Sequence, residues 1–277
     1  MKASSFDYLA AKTVAEASAA LGSNGATTAA IAGGQSLLPM LNLRVALPDL
    51  VVDLGRLDEL KEVSVSSDKV RIGALTTHAT IEDGLFADAF GGLMQKVAST
   101  ISYRAIRHYG TIGGSVALAD PAADWPGCLM ALGATLRISG LEGTRSEPVE
   151  TFVQGQYQTS LTPDEIVVGF DVPRPAAPLR WGAFKVARKS GAFANSIAFA
   201  VSQGKGGPIS IVLAAATPRP YQLKKVAEKL GTLQVSDEIL RAAIAEDVAP
   251  LVPRDDAYLM RLHTSTVLRA VREMQNK

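Results

Sequence analysis

Residues 28–39 run Thr28-Ala29-Ala30-Ile31-Ala32-Gly33-Gly34-Gln35-Ser36-Leu37-Leu38-Pro39, a short apolar run that stops abruptly at a glycine pair. The run predicts a buried strand. A loop at its end projects consecutive amides from a rigid support, which makes a nest for an anion. Glycine suits such a loop because it has no Cβ to obstruct a phosphate and tolerates positive φ. Taken alone, a strand-end glycine pair is equally well an ordinary turn. A second segment, Gly110-Thr111-Ile112-Gly113-Gly114-Ser115, repeats the chemistry with hydroxyl residues beside the pair. Binding at about 1 μM requires ~8 kcal/mol, whereas one charge-assisted hydrogen bond contributes ~1.5–3 kcal/mol. Several donors from both loops are therefore needed, and together the loops point to a diphosphate.

Outward from these loops the pattern predicts an α+β protein. Thr13, Glu16 and Gly22 frame a first helix as a capping box and a terminal glycine. Asp49 to Leu54 reads as a strand. From about Leu57, strands at 70–75 and 134–139 are separated by helical segments. The prolines at 173, 175 and 178 mark a boundary, since proline has no amide to continue a central ladder. Beyond it, strands are expected at 182–187, 196–202 and 209–214, then helices at 223–230 and 237–246 and a long one from about Asp255. The expected organisation is two N-terminal subdomains, 1–56 and 57–175, followed by a C-terminal α+β domain, 176–277, with a small antiparallel sheet and helices.

The chain has 277 residues, 47% of them apolar, and a net charge of +1, which fits a globular protein with no broad field for nucleic acid or membrane. Its single cysteine, Cys128, rules out an internal disulfide and any iron–sulfur cluster or cysteine zinc site supplied by this chain alone. No window reaches the roughly 18 apolar residues of a membrane span, and residues 1–7 hold no apolar signal core, so a cytoplasmic setting is expected. The Rossmann, Walker, H-E-x-x-H and G-x-S-x-G patterns are absent. His78, His108 and His263 lack metal spacing and read as surface or structurally satisfied histidines. No metal site and no catalytic side-chain dyad are expected.

Together, 32–39, Thr111-Ile112-Gly113-Gly114-Ser115 and Asp120-Pro121-Ala122-Ala123-Asp124 resemble the medium, FAD-binding subunit of the molybdenum hydroxylases, which include xanthine dehydrogenase and carbon monoxide dehydrogenase. The resemblance continues through 162–167 and Phe184-Lys185 over nearly the whole chain. It implies a two-part FAD-binding domain of the PCMH type. Ala32, Gly33, Gly34, Gln35, Ser36 and Leu37 with Thr111, Ile112, Gly113, Gly114 and Ser115 would bind the FAD pyrophosphate. Asp124 would contact the sugar hydroxyls, although its place before Trp125-Pro126, with Gly133 ending the helix, also suits an N-cap. Val167 would pack beside a ring system. Lys185, otherwise an exposed strand charge, would approach the flavin and favour its reduced form. Phe193 stands where relatives often carry tyrosine, keeping the ring without the hydroxyl.

Gln35 replaces the histidine or asparagine common in relatives and lacks a nucleophilic ring nitrogen, so non-covalent FAD is expected. Leu118 replaces a polar residue common after the second loop. The resemblance further implies electron transfer from iron–sulfur clusters of a [2Fe-2S] small subunit, fed by a large subunit that carries the molybdenum cofactor, within a heterotrimer or its dimer. The acceptor would be NAD, oxygen, a quinone or a cytochrome. A stand-alone flavin oxidase or reductase is the rival enzyme, and a nucleotide-binding regulatory module the rival outside enzymology.

Overall fold

The computed structural model describes residues 2–23, 25–84, 89–204, 206–231 and 235–277. The chain opens with β1 (Asp7–Ala10), α1 (Val14–Leu21), β2 (Thr28–Ile31), α2 (Leu37–Asn42) and β3 (Leu50–Asp53). The three strands form a parallel sheet in the order β1-β3-β2. Thr13 caps α1 by accepting from the Glu16 amide at 3.1 Å, as the sequence predicts. The Glu16 carboxylate reaches the Lys12 amide (2.7 Å), one residue before the position a reciprocal box would use. Ala11, Ala17, Leu21, Val52, Leu54 and Leu57 bury this layer against Ile166 and Val168. Apolar contact of this kind contributes roughly 25 cal/mol per Å² removed from water.

The next section contains β4 (Val63–Val65), β5 (Lys69–Gly73) and the short helices α3 (His78–Glu82), α4 (Leu93–Ser99), α5 (Arg104–Arg107), α6 (Ile112–Leu118) and α7 (Asp124–Ala131). It continues through β6 (Thr135–Gly140), β7 (Gly143–Pro148), α8 (Val149–Phe152), a minor β8–β9 pair (Val153–Gly155 and Gln158–Thr159) and β10 (Ile166–Pro173). The large sheet is antiparallel, in the order β4-β5-β10-β6-β7. β10 lies at its centre although the last of its strands in sequence, so Ile166 and Val167 reach the interior of the molecule. A bulge between Val167 and Gly169 shifts its register.

β10 ends at Pro173 and the next strand begins at Leu179, so the proline-rich stretch falls between sheets. β11 (Leu179–Ala187), β12 (Ala194–Gln203), β13 (Ile209–Ala214) and β14 (Tyr221–Gln222) form an antiparallel sheet in that order. Helices α9 (Lys224–Gly231), α10 (Asp237–Val248) and α11 (Ala257–Gln275) follow. β12 is buried on both faces because α4 and α7 cover one side of its sheet and α11 the other, which accounts for its continuous apolar run. Gly182 permits that closeness, since a Cβ there would collide with the Ala270 carbonyl on α11.

Candidate functional site

The two glycine loops meet at one place. A Cβ on Gly33 would collide with the Tyr109 carbonyl oxygen and come within 3.0 Å of the Gly110 Cα. Gly33 is therefore required where the loops cross, while Gly34 is required by its conformation, φ 69°. Between the end of β2 and the start of α2, the amides of Gly33, Gly34, Gln35, Ser36 and Leu37 find no acceptor among the described residues. The Gln35 side chain folds back, donating to the Gly33 carbonyl at 3.0 Å and bracing the loop. The Ser36 hydroxyl makes no cap bond. Five consecutive uncommitted amides beside a free hydroxyl form an anion nest of the kind the sequence predicts.

The second loop differs. The Ile112 amide donates to the Thr76 carbonyl (3.0 Å), Gly113 to Ala74 (2.9 Å) and Ser115 to Thr111 (3.1 Å). The Gly114 amide donates to the Thr111 hydroxyl at 3.1 Å, capping α6. A Cβ on Gly113 would lie 2.6 Å from the Ala74 carbonyl oxygen, so this glycine allows close packing against the segment after β5. What the loop presents outward is the exposed Gly114 and the Ser115 hydroxyl.

A cavity of about 540 Å³ runs from these loops towards β10 and β11. All the residues assigned to the cofactor line it except Ile112, whose side chain is fully buried beneath the loop. Ile112 is thus a core residue, and its committed amide cannot reach an anion. Val167 lines the wall with Leu54, Leu75, Ile106 and Ile166, an apolar surface that suits a flat ring. Leu118 lies on the same cavity and keeps it apolar.

Asp124 and Lys185 form a pair the sequence does not reveal. Asp124 is 5% exposed, and its carboxylate accepts from Lys185 Nζ at 2.9 Å and from the Thr100 hydroxyl at 3.4 Å. Lys185, an inward group with 11% of its side chain exposed, departs from the plain strand charge its sequence context suggests. The N-cap of α7 is Ala123 and Asp124 is its first helical residue, so the capping role does not hold. Burial pushes the Asp124 carboxyl upward against the opposing pull of Lys185.

Phe193 lies on the cavity rim and is 66% exposed, on a loop that Gly191 seats against the Ser102 carbonyl. His78 also lines the cavity but is 5% exposed, with Trp125 Nε1 donating to its Nδ1 at 3.1 Å. Burial, aided by the nearby Arg107 charge, lowers its pKa to about 4. The sequence reading misses it. The available signal is its place one residue after the Thr77 cap of α3. His263, by contrast, is satisfied inside the C-terminal core by the Ser196 hydroxyl at 2.8 Å.

Uncommitted amides, free hydroxyls, an apolar slot and a buried ion pair all suit a dinucleotide with a planar ring. Cys128 is fully buried on α7, where burial drives its thiol far above the ordinary range. Among the described residues there is no group of three or more His, Cys, Asp or Glu able to hold a metal, and no helix long and apolar enough to cross a membrane.

The family described as the FAD binding domain in molybdopterin dehydrogenase matches residues 4–175. The carbon monoxide dehydrogenase medium chain of Hydrogenophaga pseudoflava is 32% identical, over 91% of this chain and 88% of its own. The nicotine 6-hydroxylase medium subunit of Paenarthrobacter nicotinovorans is 32% identical, over 86% and 83%. In the solved structure of carbon monoxide dehydrogenase from Hydrogenophaga pseudoflava, a chain 31% identical superposes with a TM-score of 0.93 over 100% of this chain and 99% of that one. Quinoline 2-oxidoreductase from Pseudomonas putida 86 superposes at 0.89 with 32% identity and the same coverage.

Proposed function

This chain belongs to the family of FAD-binding domains of molybdopterin dehydrogenases, and we propose from that premise that it is the FAD-binding, electron-transferring subunit of a multi-subunit molybdenum dehydrogenase. The observation that carries the site assignment is the run of five uncommitted amides, Gly33 to Leu37, at the mouth of an apolar cavity. Those amides and the Ser36 and Ser115 hydroxyls hold the diphosphate. Val167 and its aliphatic neighbours exclude water from the ring face. The Lys185–Asp124 pair fixes charge at the wall, and Phe193 covers the rim. Bound FAD supplies the chemistry of accepting an electron pair from one side and releasing it to an acceptor on the other. Gln35 braces its own loop and has no nitrogen suited to attacking the cofactor, so attachment is non-covalent.

The finer assembly is part of the same reading. One sequestered cysteine cannot ligate a cluster. The electrons therefore arrive from an iron–sulfur small subunit, itself supplied by a molybdopterin large subunit, in a heterotrimer or its dimer, in the cytoplasm. The units are placed at 1–56, 57–175 and 176–277; β10 joins the first two, and the middle hydrophobic cluster runs on into Trp181, Ile197 and Phe199 of the third. The test is purification of the native complex. Intact FAD should be released on acid precipitation, together with molybdenum, iron and two further chains. A single-chain species with full substrate turnover and neither metal would instead establish a stand-alone flavoenzyme.

A further inference from the structure

We propose that His78 is a cofactor-positioning residue whose Nε2–H donates a hydrogen bond to the diphosphate of the bound dinucleotide, with the ring's tautomer set by Trp125. This rests on the FAD reading above.

The argument begins with the ring's own bonds. Trp125 is fully buried and its indole N–H can only donate, so Nδ1 of His78 must be the acceptor at 3.1 Å. With a pKa near 4, the imidazole is neutral at physiological pH, and its one proton must sit on Nε2. That N–H has no acceptor among the described residues, although the residue is 95% sequestered. The N–H is not sealed in the core but open at the cavity wall, so it is free to pair with whatever fills the cavity. His78 lines the cavity, which supplies the direction.

Gly110 defines the gap in front of the ring. Its amide carbonyl accepts from the His78 backbone N–H at 2.9 Å, and a Cβ built on it would lie 2.9 Å from Nε2. The missing Cβ leaves open the space that Nε2 faces. Gly110 is also the residue that Gly33 approaches across the loop junction, so the open space adjoins the nest of free amides. The acceptor nearest in chemistry and position is a phosphate oxygen. A neutral donor there adds to the backbone amides without placing a further cation beside Arg107.

The test uses the full chain stripped of FAD and titrated with FAD, followed by flavin fluorescence, with the 31P spectrum of the bound cofactor and thermal melting of the apoprotein. His78→Phe should weaken FAD binding about tenfold to a hundredfold and move a diphosphate resonance. His78→Gln, which keeps a donor near the Nε2 position, should stay within about threefold of wild type. Gly110→Ala keeps the imidazole but sets a Cβ 2.9 Å from its Nε2, closing the gap, and should lose binding as His78→Phe does, which keeps the inference testable if that variant does not fold. Wild-type affinity and an unmoved 31P spectrum in Gly110→Ala or a folded His78→Phe would overturn the role, as would a folded His78→Gln as impaired as His78→Phe. Failure of the wild-type chain itself to take up FAD would overturn the underlying reading instead.

Discussion

The loop at 32–37 leaves five consecutive amides without an acceptor, whereas the loop at 110–115 commits its amides to Thr76, Ala74 and Thr111. Both carry a glycine pair beside small hydroxyl residues, so they look alike in sequence. Gly33 and Gly113 serve packing in both loops, each where another stretch of backbone crosses at close range. The difference lies in what the rest of the loop does. The first presents main-chain donors to a ligand, and the second is a structural brace that presents the Ser115 hydroxyl. A repeated motif thus leaves one loop's amides open and commits the other's to packing.

The largest effect is expected where the brace is broken. Gly113→Val would drive a branched side chain into Ala74 and should cost on the order of 5 kcal/mol, comparable to the whole stability of an ordinary domain. The apoprotein's melting temperature should collapse before any ligand is added. An apoprotein that melts normally but fails to bind FAD would reverse the assignment, making the second loop a binding element.

Next comes the buried pair, which extends the contrast between committed and open groups to side chains. Lys185→Met leaves Asp124 buried and unpaired and should cost about 3–5 kcal/mol, with much of the loss regained in the double variant carrying Asp124→Asn. The sign with pH follows from Asp124. Burial already holds its folded pKa above the ordinary value, and removing Lys185 raises it further. A raised folded pKa means the folded state binds the extra proton, so stability is gained at low pH and lost as pH rises. The deficit of Lys185→Met should therefore shrink from pH 8 towards pH 5. In a redox titration the single variant should show a lowered flavin potential that Asp124→Asn restores; an unchanged potential would leave the pair with a purely structural role.

Such pairs also mark the limit of what one sequence reveals. The strand at 28–31, the glycine loop after it and the strand at 209–214 are legible because each is decided by local residue order. β2 is nonetheless a half-buried edge strand with Ala30 exposed, rather than the buried strand its apolar run predicts, because only β3 pairs with it. The short strand Asp7–Ala10 escapes notice because its residues are mixed in polarity and are drawn into the sheet by β3. Lys185 and Asp124 are 61 residues apart, and His78 and Trp125 are 47 apart. Nothing in the local spacing announces either pair. Gly113 shows the same limit from the other side: its type is legible, but its reason, the approach of Ala74, is set by tertiary packing.

Smaller substitutions should separate the loops cleanly. Thr111→Val removes the cap on α6 and should cost the apoprotein about 1 kcal/mol, read as a lower melting temperature. Ser36→Ala should leave apoprotein melting unchanged, because that hydroxyl has no partner in the fold, yet weaken FAD binding about three- to tenfold. The reverse ranking would mean the roles of the loops had been exchanged.

Hydrogen–deuterium exchange of the full chain with and without FAD tests the division most directly. Uncommitted amides exchange freely until a ligand claims them, while bonded amides are already slow. FAD should strongly slow exchange across 33–37 and change it little across 112–115. Equal slowing in both loops, or slowing confined to the second, would contradict the account.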